Sequence, residues 1–249
     1  MEFYDCNAWI GTPTNITLFA APTAESLLAA MDEAGIEKAL VWHIAQHDCD
    51  PLSGNELLGQ AIGAHTRLVG TWTMLPTQCG EIGRAEDWVD GMLAAGVRAV
   101  RMFPARNRYL PRAEVIGDLL GVFSERRIPL LLSLRRDVNW PMIYDLMQGF
   151  PKLTVILCDV DGWPADRYFR PLLDRYDRLH IENSTYLADG GIEAFVERYG
   201  ASRMLFGSGF PECYPGGAML RVRHAEIGEA ERTAIAAGNV ERLLSEVRT

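Results

Sequence analysis

Long apolar runs are missing from this 249-residue chain, and the longest, around Ile128 to Leu134, is far too short to cross a bilayer. The first residues, Met1-Glu2-Phe3-Tyr4-Asp5, also lack a basic stretch followed by an apolar one, so a cytoplasmic protein is expected. The five cysteines are scattered, odd in number and free of any C-x-x-C spacing, which argues against a disulfide framework or a structural zinc knot. Net positive charge is absent too. A formal charge of −9 excludes a general role on nucleic acid or an acidic membrane, because phosphate binding requires a basic face. No G-x-G-x-x-G turn, P-loop or G-x-S-x-G elbow follows an apolar run, so the familiar nucleotide-binding and serine-nucleophile signatures are missing. No Ser/Gly-rich linker or low-complexity tract divides the chain, and a single domain over residues 1–249 is expected.

What the chain does contain is alternation. Short apolar runs at residues 2–6, 39–43, 68–73, 97–102, 129–134, 154–158, 179–182 and 204–206 read as strands. Between them, stretches including 24–34, 85–95, 113–126, 142–150, 169–176 and 192–199 mostly carry apolar residues at helical spacing. Gly35 and Gly96 stand where helices end and strands are about to begin. Residues 229–247 read as a final helix pair broken near Gly238-Asn239, and residues 45–51 as a loop. Eight continuous apolar strands alternating with helices predict an α/β fold, a (β/α)8 TIM barrel, in preference to a doubly wound sheet.

Several phrases carry a family resemblance. The first strand runs into Asp5-Cys6-Asn7-Ala8-Trp9, and the last into Leu205-Phe206-Gly207-Ser208-Gly209-Phe210-Pro211. Between them lie Met31-Asp32-Glu33-Ala34-Gly35-Ile36-Glu37-Lys38-Ala39 and Gly96-Val97-Arg98-Ala99-Val100-Arg101. In this order they resemble the amidohydrolase-related family of TIM barrels. The resemblance implies a metal site drawn from strands one, five, six and eight: a His-x-His pair, two further histidines and an Asp. Here those positions hold Asn7 and Trp9, Ser133, Asp159 and Gly209. Only Asp159 is a good hard-cation donor, and one carboxylate is too little for a tight zinc site. No resident metal and no cofactor are expected.

If the barrel forms, strand C-terminal ends face the site. Asp159 and His43 are then candidates for moving a proton, and Asn7, Trp9, Arg101, Ser133, Arg135, Asp161 and Glu182 for holding a substrate. Alternation places Ser133 with Arg135, and Asp159 with Asp161, on common faces, and turns Cys158 away from the mouth. Arg98, Arg101, Arg106, Arg108 and Arg112, with no acid among them, and the later pair Arg135-Arg136 suggest a local anion site. Two guanidiniums beside carboxylates fit a clamp on a substrate carboxylate, or equally an internal ion-pair network that replaces the cation. Trp9 has two readings as well: a filler of the volume left by metal and water, or a stacking wall for a flat ligand. A small anionic organic ligand is the expected partner, bound for metal-independent hydrolase or lyase chemistry on a carboxylate or lactone. A non-catalytic binding protein, or a metallohydrolase with ligands rearranged to His43, Asp159, Asp161 or Glu182, are the alternatives. A homodimer is possible on resemblance, with no interface located.

Overall fold

The computed structural model describes residues 1–136 and 138–249. The strands are β1 (Tyr4–Ile10), β2 (Lys38–His43), β3 in two halves (Leu68–Gly70 and Trp72–Thr73), β4 (Val100–Arg101), β5 (Leu130–Ser133), β6 (Val155–Cys158), β7 (Leu179–Glu182) and β8 (Met204–Leu205). Every pairing along this order is parallel. The halves of β3 are one strand: Thr71 N donates to Val41 O at 2.8 Å on one side, and Trp72 N to Ala99 O at 3.2 Å on the other. Closure comes from Cys6 N to Phe206 O (3.0 Å), Gly209 N to Asn7 O (3.0 Å) and Trp9 N to Phe210 O (3.2 Å), which join β1 to the end of β8. The eight strands therefore form a closed (β/α)8 TIM barrel.

The helices are α1 (Ala24–Ala34), α2 (Ala45–Asp48), α3 (Pro51–Ile62), α4 (Ala85–Ala94), α5 (Ala113–Arg126), α6 (Trp140–Gly149), α7 (Asp166–Arg175), α8 (Gly191–Tyr199), α9 (Pro215–His224), α10 (Glu229–Thr233) and α11 (Asn239–Ser245). Two apolar layers hold the fold. The barrel interior packs Tyr4, Cys6, Leu40, Ala99, Leu131, Ile156, Cys158 and Leu205, with Val240 and Leu243 of α11 plugging the end where strands begin. The outer faces of the same strands, such as Ala8, Val41, Leu132 and Ile181, pack against the helices. Each fully buried aliphatic side chain contributes about 1.5–3 kcal/mol, which is why the strands read as continuous apolar runs.

Boundaries differ from the expectation at several elements, four of them with a clear local cause. β1 is displaced toward Ile10 and contains an irregularity between Asp5 and Ala8. There the Asp5 carboxylate accepts from Asn7 N and Ser208 N, both at 2.9 Å, and from Ser208 Oγ, so two successive side chains, Cys6 and Asn7, turn inward. Residues 45–48 are helical rather than a loop, because Gln46 is anchored: its amide donates to Asn55 Oδ1 and Thr71 O, and its Oε1 accepts from His43 N. The Thr71 carbonyl engaged in this way also marks the break in β3. Helix α6 starts at Trp140 because Asn139 Oδ1 caps Met142 N at 3.1 Å. Finally, Gly238 breaks nothing: α10 and α11 are joined through a π-helical stretch, Ala234–Gly238. Among the described residues no helix is long and apolar enough to cross a membrane.

Candidate functional site

Two carboxylates lie beneath the barrel mouth, held almost entirely by neutral donors. Glu182, at the end of β7, is fully buried. Its Oε1 accepts from Asp159 N (2.7 Å), Ser184 Oγ (2.7 Å) and Asn7 Nδ2 (3.3 Å), and its Oε2 from Ser184 N (2.5 Å). The carboxylate presses so closely on the β8 end that a Cβ at Gly207 would collide with Oε2, which accounts for glycine there. Asp159 follows β6 and accepts from Ser133 Oγ at 2.5 Å and Asn7 Nδ2 at 3.4 Å. The Asn7 amide thus bridges the two acids, while its carbonyl accepts from Arg101 Nη2 at 3.0 Å. Burial, and then the charge of Asp159, push the Glu182 carboxyl up from 4.5 to about 7. A group with that affinity holds or releases a proton at neutral pH.

Above this layer, cations and indoles alternate. The Arg101 guanidinium lies 5.5 Å from the centre of the Trp42 ring, and Arg136 lies 5.3 Å from Trp42 and 5.7 Å from Trp9. Trp9, Trp42 and Phe103 form one small buried aromatic cluster. Arg136 is in turn ion-paired with Glu212, and Arg135 reaches the same carboxylate at 3.3 Å. The Arg136–Glu212 pair divides the mouth in two. Beneath it is a cavity of about 10 Å³ walled by Asn7, Trp9, Trp42, Arg101, Ser133 and Asp159. Outside it is a vestibule of about 300 Å³ with Arg135 and Asp48 on its walls and Ile16 and Leu18 on its rim.

The expected site residues are distributed unevenly. Asn7, Arg101, Ser133, Asp159 and Glu182 meet at one place, with Trp9 over them. His43 stands apart: its Nδ1 accepts from Ala45 N at 3.1 Å, its ring packs against Gly11, and burial lowers its pKa. Asp161 is exposed, with its amide bonded to Thr185 Oγ1, and Arg135 is a half-exposed vestibule residue. Alternation fails at these points because the strands stop. Asp159 and Asp161 adopt left-handed backbones, φ 58° and 57°, so Cys158 and Asp159 both face inward and Asp161 does not. After Ser133 the chain turns, and Arg136, not Arg135, swings over the indoles. The arginine-rich segment is likewise dispersed. Only Arg101 enters the barrel, while Arg106 donates to the carbonyls of His47 and Asp48, and Arg108 and Arg112 are exposed.

Trp42 and Glu212 were not singled out from the sequence, and Arg136 was named only beside Arg135 among the arginines of a local anion site. Trp42 had a visible signal, since it shares its strand face with Leu40. Glu212, one residue beyond the cis Phe210-Pro211 bond and outside any periodic segment, had none. Among the described residues, no three His, Cys, Asp or Glu side chains are grouped so as to hold an ion together.

A family model described as amidohydrolase matches residues 13–245. Among solved structures, the chain is similar to 2,6-dihydroxybenzoate decarboxylase from Rhizobium, with a TM-score of 0.75 and 16% identity over 98% of both chains. It is similar to 5-carboxyvanillate decarboxylase from Sphingomonas paucimobilis, with a TM-score of 0.74 and 13% identity over 99% of both. A third is a probable 2-pyrone-4,6-dicarboxylic acid hydrolase from Acinetobacter baumannii with citric acid bound, at a TM-score of 0.70 and 16% identity over 98% of this chain and 100% of that one. No curated protein matches the sequence.

Proposed function

The chain belongs to the amidohydrolase family, and from that premise we propose that it binds a small organic carboxylate at the barrel mouth and acts on it by metal-independent hydrolase or lyase chemistry. The observation that carries this reading is the Arg136–Glu212 pair closing the mouth over Trp9 and Trp42. Glu212 occupies the guanidinium as a substrate carboxylate would. Exchanging one carboxylate for another keeps Arg136 paired, so admission of the ligand avoids the cost of a bare buried charge. The similar structures include two decarboxylases of carboxylated aromatics and a probable hydrolase of a dicarboxylic acid, which supports the ligand class.

The side chains do not fit a tightly held metal. Of Asn7, Trp9, Ser133, Asp159 and Gly209, only Asp159 offers an anionic donor, too few for a tight site, and its oxygens accept from Ser133 and Asn7. His43 and Asp161, which a rearranged ligand set would need, stand away from it. Positive charge comes instead from Arg101 and Arg136. Asp159, which lines the inner cavity, is the proton-moving group, and Glu182 is tied to it through Asn7 and the Asp159 amide.

Thermal shifts with 2,6-dihydroxybenzoate and 2-pyrone-4,6-dicarboxylate, against uncharged resorcinol, test the reading. Both carboxylates raise the melting temperature of the native protein and lose that effect in Arg136→Met. Equal stabilisation by resorcinol, or full stabilisation of the variant, refutes it. Stoichiometric zinc or manganese whose removal abolishes turnover refutes the metal-independent part. Binding of carboxylates with no turnover on any of them leaves a ligand-binding protein.

A further inference from the structure

A cleft of about 690 Å³ runs down the outer wall of the barrel between α3 and α4, with β3 as its floor. It shares no lining residue with the inner cavity or the vestibule. Along α3 its wall includes Leu52, Glu56, Gly59 and Gly63, a stripe at helical spacing, so position 59 faces the opening. Glycine inside a helix is unfavourable relative to alanine, yet no packing requires it here: a Cβ at Gly59 would meet nothing within 4 Å. The same holds for Gly96 across the cleft, and the two missing side chains leave its depth unfilled. The floor is apolar. Trp72, half-buried, tilts against the buried Trp88 with ring centres 5.7 Å apart, and Leu58, Ile62 and Val97 line the cleft beside them.

The charge of the cleft has one sign. Glu56 and Glu81 are exposed on its walls, and neither has an ion-pair partner among the described residues. Farther down, Ile62-Gly63 and Ala95-Gly96 bring the C-termini of both helices to the cleft, and neither helix has a basic residue in its last turn. A helix C-terminus carries partial negative charge, which favours a cation and disfavours an anion. Among the described residues no lysine or arginine lines the cleft, and His65, which does, is paired with Glu25 at 3.4 Å. We propose that this cleft is a binding site for an organic cation with an apolar body, an amine carrying an aryl or alkyl group. The body lies over Trp72, Ile62 and Val97, and Glu56 and Glu81 hold the ammonium. The volume falls within the range of small-molecule sites, about 300–1,000 Å³, which pair apolar walls with a few polar groups that fix orientation. Its charge sets this ligand apart from the carboxylate proposed for the mouth.

The test is calorimetric titration of the native protein with 4-phenylbutylamine, beside 4-phenylbutanol and 4-phenylbutyrate, which keep the body and change the charge. The amine binds one-to-one, the alcohol binds on the order of tenfold more weakly, and the acid does not displace the amine. Replacing Glu56→Gln and Glu81→Gln together weakens the amine on the order of tenfold and removes its advantage over the alcohol. Gly59→Leu places a side chain in open space and a better helix former in α3, so it abolishes binding without lowering the melting temperature. Equal binding of amine and alcohol, unchanged affinity in the glutamine variant, or full binding by a stably folded Gly59→Leu overturns the proposal. So does a titration in which the amine gives no binding heat. A concentration-dependent dimer in sedimentation that Gly59→Leu dissociates assigns the cleft to a second copy of the chain, and overturns it as well.

Discussion

Replacing Glu182 by glutamine converts the buried acid pair into a quantity that denaturation can read. The unfolded chain releases the Glu182 proton near 4.5, whereas the folded protein keeps it until about 7. Between those pH values the native state binds one more proton than the unfolded state, so this group's stabilisation is fully present below 4.5 and lost as the pH rises through 7. A displacement of about 2.5 pH units at 1.36 kcal/mol each amounts to about 3 kcal/mol. The native protein alone does not display this. His180, also buried, has its pKa lowered to about 3 from 6.5, by burial first and then by Arg203 and Arg242. It binds its proton in the unfolded state and not in the folded one, so its contribution to stability grows from about pH 3 to 6.5 and opposes that of Glu182.

The glutamine side chain does not titrate, and His180 is present in both proteins, so the difference between them isolates the carboxyl. Urea denaturation at a series of pH values is the assay. The stability of the native protein relative to Glu182→Gln falls by about 3 kcal/mol from pH 4.5 to pH 7 and is level on either side. A constant offset of about 1–3 kcal/mol accompanies it, because the introduced amide cannot accept every bond that Asp159 N, Ser184 and Asn7 now donate. A difference that is flat across the window refutes the raised proton affinity of Glu182.

Arg101→Met removes the guanidinium from Asn7 and from the buried acids, and costs about 3–5 kcal/mol by urea denaturation at neutral pH, less below pH 5 where Glu182 is neutral. A loss under about 1 kcal/mol at neutral pH shows that the arginine is not compensating buried charge. Gly209→Asp restores the acid that the family resemblance implies, at a left-handed position (φ 67°) where its Cβ would also meet Ser184 and Cys213 at 3.3–3.4 Å. Destabilisation of about 1–2 kcal/mol and no zinc uptake by calorimetry are expected; tight zinc binding by this single variant contradicts the account of Asn7 and Trp9. Dialysis against a chelator leaves the melting temperature of the native protein unchanged, and a drop of several degrees shows that a metal does hold the fold.

The barrel was legible because its signal is redundant. Strand after strand buries both faces, so the apolar runs are continuous, and Gly35 and Gly96 take the left-handed conformations that end α1 and precede β4. Losing one boundary does not disturb that pattern. What the runs could not reveal is tertiary bonding that replaces the ladder. Gln46 and Asn55 capture the backbone of Thr71 and Thr73, and Asp5 ties Asn7 to Ser208, and in each case the side chain acts on a backbone far away in sequence.

The site was legible only up to the last extended residue of each strand. Period-two alternation holds while the backbone stays extended, and a barrel concentrates its chemistry just where extension ends. Asn7, Arg101, Ser133 and Glu182 lie within strands and converge as alternation requires, save that the β1 irregularity is what brings Asn7 in beside Cys6. One residue farther on, the left-handed turn at Asp159 places its carboxylate inward directly after the inward Cys158, and the turn after Ser133 decides which of two adjacent arginines covers the indoles. Charge explains why Arg136 matters there. Asp5, Asp159 and Glu182 are buried around the mouth, with Arg101 as the one fully buried guanidinium among the described residues. Burial of several carboxylates is tolerable only when protons or cations accompany them. The raised affinity of Glu182 supplies a proton and Arg136 a second cation. A ligand that draws Arg136 away without bringing it a carboxylate would leave that balance broken, which is a physical reason for the mouth to discriminate against uncharged molecules of the same shape.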